Sequence, residues 1–166
     1  MDSTFMALKK LPSSLAVIFL ILFAFPAQAE LSAFISGSYQ HIVAANAKQP
    51  FMLVVWSVNC PSCLKEMALL SDIHKSRPEL KIIMLAADEP SETEQIKQIL
   101  QKKQLLGLEN WAYADENTQK LQFEIDPAWY GELPRTYFFN NTHQRTGVSG
   151  TLSAADYEEV LTKILE

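Results

Sequence analysis

Residues 51–67 read FMLVVWSVNCPSCLKEM and carry the most informative pattern in the chain. The first part, Phe51–Val58, is a continuous apolar run rich in aromatic and β-branched residues. Such runs are typical of strands that are buried on both faces, as in parallel sheets. After it, Leu64–Lys75 has good helix formers and apolar residues at helical spacing, which predicts a helix. The only two cysteines of the chain, Cys60 and Cys63, stand at this junction.

The spacing of the two cysteines favours redox chemistry. Residues three apart on a helix are neighbours on one face, about 5–6 Å apart, and a disulfide needs about that separation between its Cα atoms. Cys60 would occupy the helix N-terminus, where unpaired N–H groups and the helix dipole stabilise a thiolate. Because the thiolate is the form that attacks disulfides, Cys60 is the predicted nucleophile. Cys63, one turn further on, is predicted to resolve the mixed disulfide.

Two other interpretations of the cysteine pair remain open. A purely structural disulfide over so short a loop would constrain little of the unfolded chain, so its stabilising value would be low. A zinc site usually needs four ligands, and the chain offers two Cys and three scattered His. No metal-binding residues are therefore assigned.

The rest of the chain predicts alternating strands and helices, and therefore an α/β fold. Further strands are predicted over Leu80–Ala87, Asn110–Ala114, Tyr137–Phe139 and Gln144–Val148, the last two as a hairpin. Leu31–Val43 is weakly apolar near helical spacing, and no strand is predicted before Phe51. Short parallel crossovers and a late hairpin together indicate a mixed sheet.

Helix boundaries are predicted from capping residues. Ser91 and Glu94 have the spacing of a capping box, which places a helix start at Ser91. Gly107 stands where that helix would end. A short helix is predicted over Asn117–Phe123, and the last helix is predicted to start at Ser153 with Asp156 in its first turn.

The N-terminal 29 residues predict an export signal. Lys9 and Lys10 precede the apolar run Leu15–Phe25, and Ala27-Gln28-Ala29 follows as a small-x-small cleavage site. Residues 30–166 would then form a single domain. The alternative is an uncleaved anchor, since the uncharged stretch from 11 to 29 is nearly long enough to span a bilayer. The net charge of −5 argues against a nucleic-acid partner.

Two motifs carry a resemblance to a known family. The segment VVWSVNCPSCLKEM resembles the active-site segment of thioredoxin-fold, TlpA/ResA-like periplasmic thiol-disulfide oxidoreductases, in which Trp56 and Glu66 match family positions. The segment 131–136, GELPRT, is similar to the cis-proline loop of that fold. The resemblance implies a thioredoxin-like fold with a mixed central sheet flanked by helices. It also implies an extra strand–helix insertion between the CxxC and the cis-Pro loop.

The resemblance also implies roles for particular residues. Glu66 lies one turn beyond Cys63 and is expected to take the proton of that thiol, the alternative being a solvated Glu paired with a Lys. Pro134 is expected to be cis, and the backbone of Leu133 is expected to pair with substrate peptide as an added strand. The residues assigned to substrate binding are Trp56, Asn59, Pro61, Ser62, Leu133 and Pro134.

Three positions depart from the family pattern. Asn59 stands where many relatives have Trp, and Pro61 precedes Ser62 where relatives more often place Pro directly before the second cysteine. Val54 stands where cytosolic thioredoxins carry a buried Asp. Without that Asp, proton transfer must depend on another group, which is why Glu66 is singled out.

By resemblance, the expected function is reduction of disulfides in periplasmic client proteins through Cys60 and Cys63. The clients would be apocytochromes in cytochrome c maturation or metal-site assembly proteins, and a membrane thiol donor would recharge the pair. No organic cofactor is expected, because the cysteine pair is itself the redox group, and a monomer, soluble or membrane-tethered, is expected. The alternatives are a disulfide oxidant or isomerase, a Cu(I) metallochaperone, and a non-catalytic binding module on the same scaffold.

Overall fold

The computed structural model of the chain describes residues 31–166, and the predicted signal segment 1–29 lies outside the described residues. The described chain alternates strands and helices. The strands are β1 (Leu31–Phe34), β2 (Phe51–Trp56), β3 (Lys81–Ala86), β4 (Glu109–Tyr113), β5 (Arg135–Phe139) and β6 (Arg145–Ser149). The helices are α1 (Ser38–Ala45), α2 (Pro61–Ser76), α3 (Thr93–Lys102), α4 (Thr118–Ile125) and α5 (Ala154–Leu165).

The six strands form one mixed sheet in the order β1-β4-β3-β2-β5-β6. The first four strands in that order run parallel, while β5 and β6 are antiparallel to their neighbours. All six residues of β2 are buried, as the apolar run 51–58 predicts for a central strand. The α/β prediction and the late hairpin are therefore confirmed. Between Cys63 and Pro134 the chain adds β3, α3, β4 and α4 after α2, which accommodates the predicted insertion.

Helices cover both faces of the sheet because alternate residues of the buried strands point to opposite sides. Met52, Val54 and Trp56 pack on one side with apolar residues of α2, α3 and α5. Phe51, Leu53 and Val55 pack on the other side with residues of α1 and α4. Each such buried side chain contributes about 1.5–3 kcal/mol, so β2 is a rigid base for the segment that follows it.

The prediction for Leu31–Val43 is wrong in its first part. Leu31–Phe34 forms the edge strand β1, which pairs in parallel with β4. Phe34 is fully buried and stacks on Tyr113 of β4, whereas Ile35, which fits the helical spacing, is half exposed. A four-residue edge strand gains its stability from its neighbour, and so its local pattern is weak.

The predicted caps of α3 are also wrong. Pro90–Glu92 forms a single 3₁₀ turn and α3 begins at Thr93, without a side-chain cap at its N-terminus. The left-handed residue after α3 is Gln104, with φ of 59°, rather than Gly107. The prediction for α5 is confirmed, because Ser153 and Asp156 form a reciprocal capping box.

Candidate redox site

The cysteine pair lies where β2 passes into α2. Cys60 is the N-cap of α2, and Pro61 occupies the first helical turn, where its missing N–H costs no hydrogen bond. The two cysteines form a disulfide with their Cα atoms 5.3 Å apart. The N–H of Cys63 donates to the Cys60 Sγ over 3.1 Å. Cys60 Sγ therefore receives a donor from the helix N-terminus, which stabilises negative charge on this sulfur when the disulfide opens.

The two sulfurs differ in access. Cys60 is half-buried, whereas Cys63 is only 2% exposed. An incoming thiol or disulfide therefore reaches Cys60 first, and Cys63 is confined to attack from within. The roles of Cys60 as nucleophile and Cys63 as resolving thiol stay predictions.

Pro134 is brought to the same end of the sheet. β5 runs antiparallel to β2, with Val55 paired to Arg135, so that Pro134 lies beside the end of β2 from which the Cys60 segment departs. The Leu133–Pro134 peptide bond is cis, which is the isomer that the resemblance implies. Leu133 is half-buried and packs against the apolar residues on both faces of the sheet. The carbonyl of Pro134 accepts the N–H of Gly150 over 2.8 Å, which holds this loop against the end of β6.

The residues assigned to substrate binding divide into two groups. Asn59, Pro61 and Ser62 are exposed around Cys60 and are accessible to a client protein. The Ser62 Oγ lies 3.3 Å from the Cys60 Sγ. Trp56, by contrast, is 1% exposed and packs in the core beneath the site. The assignment of Trp56 as a client contact is therefore corrected: its side chain supports β2 from below.

Glu66 is buried rather than solvated. It is 6% exposed, and its Oε1 accepts the N–H of Leu152 over 2.8 Å and the hydroxyl of Tyr157 over 3.1 Å. Burial raises the pKa of Glu66, against the opposing effect of these two hydrogen bonds. The alternative prediction of a solvated Glu paired with a Lys is wrong, because the carboxyl faces the protein interior.

Asp88 is a residue of the site that the sequence analysis missed. It follows β3, is 7% exposed, and accepts the N–H of Val58 over 3.0 Å and the hydroxyl of Ser57 over 2.6 Å. The Ser57 Oγ in turn accepts the N–H of Asn59 over 3.0 Å. Asp88 thus holds the loop that carries Cys60. Its place directly after a predicted parallel strand is the signal that could have found it, since carboxyl ends of parallel neighbours share one edge.

Within residues 31–166, no group of three or more His, Cys, Asp and Glu side chains is placed to hold a metal ion. None of the helices in that same range combines the length and apolar character needed to cross a bilayer.

Comparison with solved structures shows the fold. A thiol:disulfide interchange protein of the thioredoxin family from Chlorobium tepidum superposes with a TM-score of 0.60 at 14% identity, over 74% of this chain and 84% of that one. The chain has a thioredoxin fold. No family model and no curated protein matches its sequence. The thioredoxin-like architecture implied by the resemblance is therefore confirmed by structure alone.

Two further structures share this thioredoxin fold. A secreted Mycobacterium tuberculosis disulfide oxidoreductase, homologous to E. coli DsbE, has a TM-score of 0.54 at 18% identity and is 84% covered, over 73% of this chain. A thio-disulfide isomerase from Thermus thermophilus has a TM-score of 0.56 at 13% identity and is 82% covered, over 72% of this chain. All three neighbours are described as proteins of thiol–disulfide chemistry, although the direction of that chemistry differs among their descriptions.

Proposed function

We propose that the chain is a thiol–disulfide oxidoreductase that reduces disulfides of client proteins in the periplasm. The observation that carries the proposal is the Cys60–Cys63 disulfide at the N-terminus of α2, beside the cis-Pro134 loop. A structural disulfide would not need one half-exposed sulfur at a helix N-terminus and one buried sulfur behind it. That asymmetry is what a two-step exchange requires.

In the reducing direction the exchange has two steps. The Cys60 thiolate attacks the client disulfide, a mixed disulfide forms, and one client sulfur leaves and takes a proton. Cys63 then loses its proton and attacks the Cys60 Sγ, which breaks the mixed disulfide and releases the second client sulfur. Two electrons pass from the cysteine pair to the client, and the Cys60–Cys63 disulfide remains. Because Cys60 enters the reaction as a thiolate, the pair supplies one of the two protons, that of Cys63, and water supplies the other. The second client sulfur takes its proton as it leaves.

The buried Cys63 needs a proton acceptor for the second step. Glu66 lies one helical turn further along α2 and is buried like Cys63. Its carboxylate is the group proposed to take the Cys63 proton, as a general base. Val54, at the position where cytosolic thioredoxins carry a buried Asp, has no group that could do so.

The direction and the clients are proposed from the TlpA/ResA-like motif. That motif favours a reductant whose clients are apocytochromes or metal-site assembly proteins, recharged by a membrane thiol donor. The predicted export signal supports a periplasmic location. A disulfide oxidant or isomerase is the alternative, and the Thermus thermophilus neighbour is described as an isomerase.

Trapping tests the activity. Cys63→Ser should leave a stalled mixed disulfide between Cys60 and its client, visible on non-reducing gels and identifiable by mass spectrometry. Cys60→Ser is the matched control and should trap nothing. Loss of trapping in both variants, with no reduction of a model disulfide by the wild type, would overturn the proposal. Tight stoichiometric Cu(I) binding with no reductase activity would favour a metallochaperone instead.

Equilibration with thiol buffers tests the direction. A reductant should have a reduction potential near that of thioredoxin, about −270 mV, whereas a strong oxidant lies near about −120 mV. A reduction potential near the oxidising value would overturn the proposed role as a reductant and favour the oxidant.

A further inference from the structure

Tyr157 forms a hydrogen bond with Glu66 that has no part in the exchange described above. Tyr157 lies on α5, is fully buried, and donates its hydroxyl to the Oε1 of Glu66 over 3.1 Å. The backbone N–H of Leu152 donates to the same oxygen over 2.8 Å. The Oε2 of Glu66 is buried and has no hydrogen-bond partner among residues 31–166. The two oxygens of one carboxyl group are therefore inequivalent.

This inequivalence decides which oxygen can hold a proton. An oxygen that already accepts two hydrogen bonds is a poor proton acceptor, because a proton there would displace a donor. The Oε2 atom has no such donor to lose. A proton exchanged with the neighbouring thiol of Cys63 is therefore directed to Oε2.

Tyr157 is suited to be a constant donor. Burial, and then the charge of Glu66, raise the pKa of Tyr157, so its hydroxyl stays protonated through the physiological range. Thr136 of β5 acts in the opposite direction and lowers the pKa of Tyr157, but it does not outweigh burial and the charge of Glu66. The Tyr157 hydroxyl is therefore a hydrogen-bond donor to Oε1 throughout this pH range. This bond favours the ionised form of Glu66, whereas burial disfavours it.

Two charged side chains lie near Glu66 on the side of α5. Glu66 lines a pocket of about 400 Å³ between α2 and the start of α5. The charged side chains of Lys65 and Asp156 line the same pocket. With Cys63 on α2 and Tyr157 on α5, these are the titratable groups placed around Glu66.

We propose that Tyr157 is a positioning residue for disulfide exchange, which holds the Oε1 of Glu66 so that Oε2 carries the proton of Cys63. The proposal rests on the thiol–disulfide activity proposed above. It adds a residue of α5, 91 positions away from Glu66 along the chain, to the function of the CxxC helix.

The test compares Tyr157→Phe with Tyr137→Phe in the reduced full-length chain. The Tyr137 hydroxyl donates to the carboxylate of Asp126 on the opposite face of the sheet, so this control removes a similar hydrogen bond away from Glu66. The ionisation of Glu66 is followed by NMR with labelled carboxyl carbons, and the rate of mixed-disulfide resolution is measured across pH. Tyr157→Phe should move the Glu66 titration upward and slow resolution roughly tenfold on the acid side of that titration, the factor of one hydrogen bond to a charged group. Tyr137→Phe should change neither.

An unchanged Glu66 titration and pH profile in a folded Tyr157→Phe protein would overturn the proposal. If that variant does not fold, a measurement on the wild type tests the proposal instead. The NMR resonance of the Tyr157 ring carbon that bears the hydroxyl should shift with pH as Glu66 titrates. This pH-dependent shift should be absent in Glu66→Gln. A Tyr157 resonance that is indifferent to Glu66 would also overturn it. Failure of the proposed function would look different, because the wild type would then reduce no disulfide, whatever the titrations show.

Discussion

Val55 on β2 pairs with Arg135 on β5, so the strand that leads into Cys60 and the strand that leaves Pro134 lie side by side in opposite directions. This one register places a local motif and a distant loop at the same end of the sheet. A shift by a single residue would turn Thr136 and Tyr137 to the wrong faces. The geometry of the redox site therefore depends on the pairing of β2 with β5.

Glu66→Gln should slow the resolution step by about 100-fold, the lower end of what general base catalysis contributes. The fold should be retained, because the Gln carbonyl can accept the same hydrogen bonds from Leu152 and Tyr157. Stopped-flow measurement of mixed-disulfide decay across pH checks the prediction. Rates equal to those of the wild type at every pH would exclude Glu66 as the base, and Glu94→Gln, on the exposed surface of α3, is the control.

Glu66 should also make stability depend on pH. Because burial raises its pKa in the folded state, the folded protein retains the proton that the unfolded chain loses. The contribution of Glu66 is thus fully present below its unfolded pKa and decreases as the pH rises through the higher folded pKa. Urea unfolding of the wild type and Glu66→Gln should show the variant gaining relative stability between acid and neutral pH. A constant difference would contradict this.

Asp126→Ala should destabilise the protein by about 3 kcal/mol at neutral pH, since it leaves Arg135 and Arg145 without a shared, buried partner. Burial raises the pKa of Asp126, but the Ala128 N–H, Arg145, Tyr137 and Arg135 together outweigh it and lower the pKa.

The contribution of Asp126 is therefore present above its unfolded pKa and is lost as the pH falls through the lower folded pKa. Urea unfolding at neutral and strongly acid pH measures the free energy of unfolding of wild type and variant. The difference between the two should shrink on acidification. A difference that grows in acid would contradict the sign of this shift.

Gly147→Ala should lower the free energy of unfolding by about 1–3 kcal/mol, the usual cost of overpacking. A Cβ at Gly147 would collide with the guanidinium of Arg135 and the ring of Tyr137. That ring is already held between the guanidinium groups of Arg135 and Arg145, at 4.7 and 4.9 Å. Gly107→Ala has open space around it and is the control. Equal melting temperatures for the two variants would show that the ring and the guanidinium can yield.

Asp88→Ala should lower the free energy of unfolding by about 1–3 kcal/mol, because the buried N–H of Val58 loses its acceptor. The loop before Cys60 should also become less ordered, so the rate of attack by Cys60 should fall. Chemical denaturation and initial rates of disulfide reduction check both effects. Glu89→Ala, at the exposed neighbouring position, should be silent. Normal stability and rate in Asp88→Ala would remove Asp88 from the support of this loop.

Local patterns determined β2, the CxxC and α2. A continuous apolar run predicts a strand buried on both faces, Pro61 suits the first helical turn, and a spacing of three residues brings Cys60 and Cys63 together on any helix. Each of these follows from backbone geometry within one turn or one strand. The redox chemistry could therefore be predicted from some twenty residues around Cys60.

Only the tertiary structure decided what surrounds the pair. The partners of Glu66 are Leu152 and Tyr157, which lie 86 and 91 positions away, and the support of the Cys60 loop is Asp88, 30 positions from Val58. The edge strand β1 likewise forms because β4 is beside it. These contacts arise from how helices pack onto a sheet, and no spacing along the chain encodes them. Sequence alone thus determined which sulfurs can react, and the packing of α5 against α2 decided the environment of the neighbouring carboxyl.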